Sequence, residues 1–351
     1  MAVAVTAMLT ACEKTEIVSN GEAQEISFVA VNKVATKVPV DGTTFDQYDN
    51  MQVAAYIISG PVDNGKGNFF DKTKFSKSGN TWVGDPARYW PLTTSTINFL
   101  AVTETGGRVN NTEVTFDDTN YASGALVILS GNASLNQNDL MYAAGQQTHT
   151  QGSAYEAVPM IFKHALSWIN FTVKTTNSTD KVTIVVNSIK LNEASYNGTL
   201  TLTNNNYNYN LSSSTTDDVT AKWSDYNVTN SVVVPNENGT DSAPALLLTN
   251  NAQLFGNGLL VVPDGYAKSF TINYTLAQGD GTANTYDYTY ELPEFETSPW
   301  EMAKKYFYNI NITLSEIEIT PSITDWDVTS TSKDVELNGN ADTQVDTPAN
   351  N

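Results

Sequence analysis

Short runs of β-branched and aromatic residues, each closed by turn-forming residues, recur along nearly the whole chain. MQVAAYIIS (51–59) is a continuous apolar run ended by GPVDNGKGN, a Gly/Asn tip suited to a turn. TINFLAVT, GALVILS, SWINFTVKT, KVTIVVNSIKL, GTLTLT, SVVVP, ALLLT, GLLVVP, KSFTINYTL, TYDYTYEL and KYFYNINITLSEIEIT continue in the same style. Such residues fit a pleated, half-buried surface. Runs of Ala, Leu, Glu and Lys at helical spacing are nearly absent, so an alternating parallel α/β architecture is disfavoured. The pattern predicts an all-β chain built from β-sandwiches. LNQNDLMYAAGQQ (135–147) reads as the best short helix or loop excursion. No exact repeat with a period of about 20–50 residues stands out, which argues against solenoids and propellers.

A length of 351 residues fits two domains. The best boundary lies at AVPMIFKHALSW (157–168), where a long polar stretch ends and a fresh series of strands begins. The reading is a leader and tether over 1–21, β domains over 22–160 and 161–327, and a polar tail over 328–351. Hydrophobic residues make up 40% of the chain, ample for packed cores. With 38 acidic against 18 basic side chains, the net charge of −20 repels phosphate backbones, so nucleic acid is not an expected partner.

The chain has a single cysteine, which excludes an intrachain disulfide and a cysteine-based zinc cluster. It closes the stretch LTAC at Cys12, after the small apolar run MAVAVTAML and before the abruptly polar EKTE. This arrangement resembles the lipobox of bacterial lipoproteins. The resemblance implies a diacylglycerol on the Cys12 sulfur, removal of the preceding peptide and anchoring by several acyl chains.

Motifs for chemistry are missing. HExxH, GxSxG, a P-loop and GxGxxG do not occur. His149 sits in the polar QQTHTQG and reads as a loop residue, while His164, among strand residues in IFKHALSWINF, reads as a partly buried structural one. Asp117–Asp118 and Asp217–Asp218 are adjacent pairs, and neighbours on a strand point to opposite faces, so they read as loop charges. DGTTFDQYDN and QGDGTAN lack the spacing of a calcium loop and read as turns. The expectation is no enzyme, no catalytic residue, no metal and no cofactor. Tyr207 and Tyr209 in NNNYNYN offer either stacking platforms for a sugar or an ordinary pair in a hairpin.

Taken in order, LTAC, ISFVAVNKVATKV, MQVAAYI, ARYWPLTTSTINFLAV, DLMYA, VPMIFKHALSWINFTV, SIKLNEASYNGTLTL, NGLLVVPDGYAKSFTINYTL and WEMAKKYFYNINITL…ITDWD resemble the fimbrillins of the Bacteroidetes, the subunits of type V pili. YWP, FKHALSWINF and ITDWD are the most specific pieces. The resemblance implies two transthyretin-like Greek-key β-sandwich domains in tandem. It also implies export to the outer membrane as a lipoprotein, cleavage by a trypsin-like protease after a basic residue, and loss of the first strand. Another subunit's strand then fills the groove. In this chain Lys37, in ATKVPV, holds the cleavage position; Lys33 is its rival, and solvent-facing strand lysines are the plain alternative for both. The donor would come from the tail, where DVELN places Val335 and Leu337 on one face. Implied partners are other pilus subunits, the protease, the membrane through the lipid on Cys12, and a host or bacterial surface receptor. The alternative readings are an anchor or tip subunit, or a non-polymerising surface lipoprotein that binds glycans through Tyr207 and Tyr209.

Overall fold

A computed structural model describes residues 24–30, 50–59, 67–79, 81–104, 113–116, 125–129, 139–150, 156–160, 162–204, 219–228, 231–236, 241–263, 269–292, 300–326 and 335–336. These form strands and connections, with no helix among the described residues. The first half contains β1 (Ser27–Ala30), β2 (Asn50–Ser59), β3 (Gly67–Ser78), β4 (Thr81–Asp85), β5 (Ser95–Glu104), β6 (Glu113–Phe116), β7 (Ala125–Leu129), β8 (Leu140–His149) and β9 (Val158–Met160). There follow β10 (Lys163–His164), β11 (Ser167–Lys174), β12 (Val182–Asn192), β13 (Ser195–Asn204), β14 (Val219–Val228), β15 (Val232–Val233), β16 (Leu246–Leu247) and β17 (Gln253–Leu254). The last are β18 (Leu259–Val261), β19 (Ser269–Gln278), β20 (Asn284–Glu291), β21 (Lys304–Ile312), β22 (Ile317–Asp325) and β23 (Val335–Glu336).

The first sheet runs β10-β8-β5-β2-β3-β4-β1-β9. Its two outermost strands are consecutive in sequence, from Met160 to Lys163. Three peptide units reach no further than about 11 Å, so the sheet must roll until its edges nearly meet. Inside the roll pack Phe28, Phe75, Phe99, Trp82, Trp90 and Met160, all buried. Gly145 of β8 lets the layers approach: a Cβ there would lie 2.7 Å from Met160 Sδ and 3.2 Å from the Pro159 carbonyl.

Three strands of this sheet are apolar on both faces. In β2, Met51, Val53, Ala55 and Ile57 face the inside of the roll, whereas Ala54 and Tyr56 enter a separate core. That is why MQVAAYIIS is continuously apolar rather than alternating. The separate core combines Leu100, Val102 and Leu140 with Leu200, Leu202, Trp223, Val262 and Trp326. LNQNDLMYAAGQQ is therefore not a helix or loop excursion: Leu140–His149 is β8, paired with β5 along its whole length. Burial between two cores favours the small Ala143, Ala144 and Gly145, and this packing overrides their weak strand preference.

The remaining strands make three sheets. β17-β11-β21-β22-β23, with β18 also on β11, faces β15-β12-β19-β20, with β16 also on β12. Phe171, Phe270, Tyr308, Ile310 and Leu191 pack between these two sheets. The outer face of β12, β19 and β20 is a polar ladder. Asn187 donates to Asn273 and Thr275, Asn273 donates to Asp287, and Thr275 pairs with Thr285. The fourth sheet, β14-β13-β7-β6, joins distant parts of the chain, with Gly198 opposite Leu129 and Thr201 opposite Leu126. Strands from both sides of residue 160 thus share one sheet and one core.

Candidate functional site

The groove that holds β1 is built from β4 and β9. β1 runs antiparallel to β4, with Phe28 opposite Trp82, and parallel to β9, with Phe28 opposite Val158 and Ala30 opposite Met160. Just upstream, the Ile26 N–H donates to the Arg88 carbonyl at 2.6 Å and the Trp90 N–H donates to the Gln24 carbonyl at 3.0 Å. The ARYWP segment thereby clamps the entry to the strand. Ile26 and Phe28 are fully buried, and the Phe28 ring meets Phe75 and Phe99 edge-on at 4.7 and 5.1 Å. Each buried side chain contributes about 1.5–3 kcal/mol relative to exposure. β1 is only four residues long, so these two plugs and the ladder bonds on either side hold it.

Both histidines lie in packed surroundings. His149 is not a loop residue: it ends β8, is 4% exposed and sits 5.7 Å from the Trp90 ring, and burial lowers its pKa. The polar run around it misled because Gln146 and Gln147 are half-buried on the strand and Thr148 is exposed, so no apolar alternation marks β8 there. His164 is fully buried, its Nδ1 lying 2.9 and 3.0 Å from the two carboxylate oxygens of Asp139. Its ring stacks on Trp326 at 3.9 Å with an interplanar angle of 5°. An imidazole sealed in this way cannot reach a soluble substrate, so the pair is architectural. Among the described residues, no group of three or more His, Cys, Asp or Glu side chains is placed to hold a metal.

The DLMYA, FKHALSW and ITDWD segments converge in three dimensions, while YWP lies elsewhere. Trp90 lines the β1 core, while Asp139, His164, Trp168 and Trp326 form one contact series. Sequence reading picked out these segments but offered no signal that His164 would stack on Trp326. Of the sequence-derived site residues, Val335 lies in β23, opposite Ile323 of β22. Cys12, Lys33, Lys37, Tyr207, Tyr209 and Leu337 lie outside the described residues, as do Asp117–Asp118 and Asp217–Asp218.

No curated protein sequence matches the chain. Among solved structures, a fimbrial protein from Bacteroides vulgatus superposes with a TM-score of 0.58 at 15% identity, covering 86% of this chain and 99% of that one. A putative cell adhesion protein from Bacteroides uniformis gives 0.47 at 16% identity, covering 86% and 98%. The fimbrial anchor protein Mfa2 from Porphyromonas gingivalis gives 0.35 at 8%, covering 86% and 97%. A family model described as fimbrillin-like matches residues 36–326, most of the chain. This all-β chain, with its rolled first sheet and buried Asp139–His164–Trp326 series, belongs to the fimbrillin-like family.

Proposed function

We propose that the protein is a non-enzymatic structural subunit of a cell-surface fimbria that supports adhesion. It is exported as a lipoprotein through Cys12 and assembled by strand exchange once a trypsin-like protease cuts after Lys37 or Lys33. The observation that carries this reading is the placement of β1. It is the first described strand, it lies upstream of both lysines, and it fills a slot between β4 and β9. A cut after either lysine leaves β1 held by noncovalent contacts alone. Its departure exposes Phe75, Phe99, Trp82 and Val158 together with the ladder edges of β4 and β9, a combination that favours a replacement strand. Strand addition supplies main-chain hydrogen bonds for affinity and apolar pockets for register. The incoming strand is assigned to the tail of another copy, around Val335 and Leu337.

Limited trypsin treatment of the purified chain, followed by N-terminal sequencing and denaturing gels without boiling, tests the proposal. The expected product is a stable core beginning after Lys33 or Lys37 that has lost β1 and builds a ladder of oligomers. Scattered cleavage, a core that keeps β1, or a core that stays monomeric would refute it.

A further inference from the structure

The convergence at His164 has a mechanical reading that is independent of the fimbrial role. Asp139 precedes β8, and His164 lies in β10, which pairs with β8 in the first sheet. Trp326 directly follows β22 of the opposite half. Both His164 and Trp326 are fully buried and stacked face to face. The series continues outward to Trp168 of β11, 5.6 Å from Trp326, and ends with Lys305 of β21, whose Nζ lies 4.6 Å over the Trp168 ring. A carboxylate, an imidazole, two indoles and an ammonium thus run from β8 and β10 of the first sheet to β11 and β21 of the other half.

Main-chain bonds follow the same path. The Ala165 N–H donates to the Leu140 carbonyl at 2.8 Å, and the Ala165 carbonyl accepts from Trp223 Nε1 at 2.7 Å. The Leu166 carbonyl accepts from the Ala303 N–H at 3.0 Å, and the Ala303 carbonyl accepts from the Trp326 N–H at 2.8 Å. Ala303 achieves this with a φ of 56°, a left-handed conformation that costs a non-glycine residue free energy. Such strain persists where the surroundings over-determine it. Asp139 is 1% exposed, so removing the imidazole takes a hydrogen-bond partner from a buried carboxyl group.

We propose that the Asp139–His164–Trp326–Trp168–Lys305 series is a mooring that ties the end of β22 to the first half, so that the two flanking cores open as one cooperative unit. Simple adjacency would let each core open separately, as weakly packed halves of a chain do.

Hydrogen exchange on the full-length protein separates these cases. Ile310→Val trims a residue that is 1% exposed in the second core, a cluster that contains no member of the series. With the mooring intact, the slowest amides of β2 and β5 exchange two- to tenfold faster in this variant, together with those of β11 and β21. With His164→Gln, or with Trp326→Phe, which keeps a ring in the slot, Ile310→Val speeds β11 and β21 but leaves β2 and β5 unchanged. The proposal is overturned if Ile310→Val in the otherwise natural chain fails to move β2 and β5. It is equally overturned if β2 and β5 respond alike with and without the stack, since the shared sheet would then carry the coupling.

Discussion

Replacing Phe28 by Ala removes the ring that plugs β1 into the rolled sheet. Phe28 is fully buried, and it meets Phe75 and Phe99 edge-on at 4.7 and 5.1 Å. A Phe→Ala change at such a position costs about 3–5 kcal/mol, from lost transfer energy and an unfilled cavity. Two edge-on partners, each contributing about 0.5–1.5 kcal/mol beyond area burial, place the loss toward the upper end. The ladder bonds to β4 and β9 are made by the main chain and survive the substitution. After a cut downstream of β1, the fragment is a noncovalent ligand, and each 1.4 kcal/mol is a tenfold change in its dissociation constant. The dissociation constant of the β1 fragment therefore rises by about two to four orders of magnitude, read by gel filtration of the nicked protein with labelled fragment. In the uncut chain the same 3–5 kcal/mol is lost from the urea unfolding free energy. Ser27→Ala, on the opposite and half-buried face of the strand, shifts either quantity by no more than about 0.5 kcal/mol. A Phe28→Ala fragment that is retained within threefold of the natural one, on a folded core, would refute the claim that Phe28 anchors the strand.

Three further outcomes follow from local geometry. Burial lowers the pKa of His149, so between that lowered value and about 6.5 the unfolded chain binds a proton that the folded chain does not. Stability accordingly falls as pH drops through about 6.5, and His149→Gln flattens the melting temperature between pH 7.5 and 5.5 relative to the natural chain; an unchanged pH slope in the variant rules this out. Gly258 has a φ of 70°, and a Cβ there would lie 2.5 Å from the Ile169 carbonyl and 2.6 Å from Trp168 Nε1, which donates to the Asn257 carbonyl. Gly258→Ala is expected to lose about 2–4 kcal/mol in urea unfolding, and a loss below about 1 kcal/mol would show that the turn relaxes freely. At Ala303, Gly is neutral or stabilising by up to about 1 kcal/mol, while Val, β-branched and left-handed, destabilises by at least that much; calorimetric melting in which Val is tolerated as well as Gly would contradict the left-handed assignment.

Much of the architecture is written in local pattern. MQVAAYIIS, TINFLAVT, KVTIVVNSIKL and KSFTINYTL each fall on a long strand because β-branched residues and alternation act over a few positions. Asn and Thr side chains form cross-strand ladders, such as Asn187 with Asn273 and Thr275, that no local pattern announces. Strand β3 escaped notice because FFDKTKFSKS carries four charged side chains and its register against β2 shifts around Ala55, which breaks the period of two. Strand β8 was hidden by small residues that answer to packing on two sides rather than to strand preference. The family signature was legible as a set of ordered segments, yet its physical meaning was not. Asp139, His164 and Trp326 meet through contacts between distant parts of the chain, and no periodicity encodes which ring will stack on which.

The sheet β14-β13-β7-β6 sets a timetable for folding. Strands β6 and β7 leave the ribosome well before β13, their partner across the Gly198–Leu129 register, has been made. Until residue 204 emerges, β7 presents a free edge of ALVIL, an apolar sequence with no charge to discourage wrong pairing. Vectorial synthesis thus creates a window in which β7 is open to wrong pairing. Truncation near residue 160 makes that window permanent, and a first half expressed alone is expected to collect in aggregates.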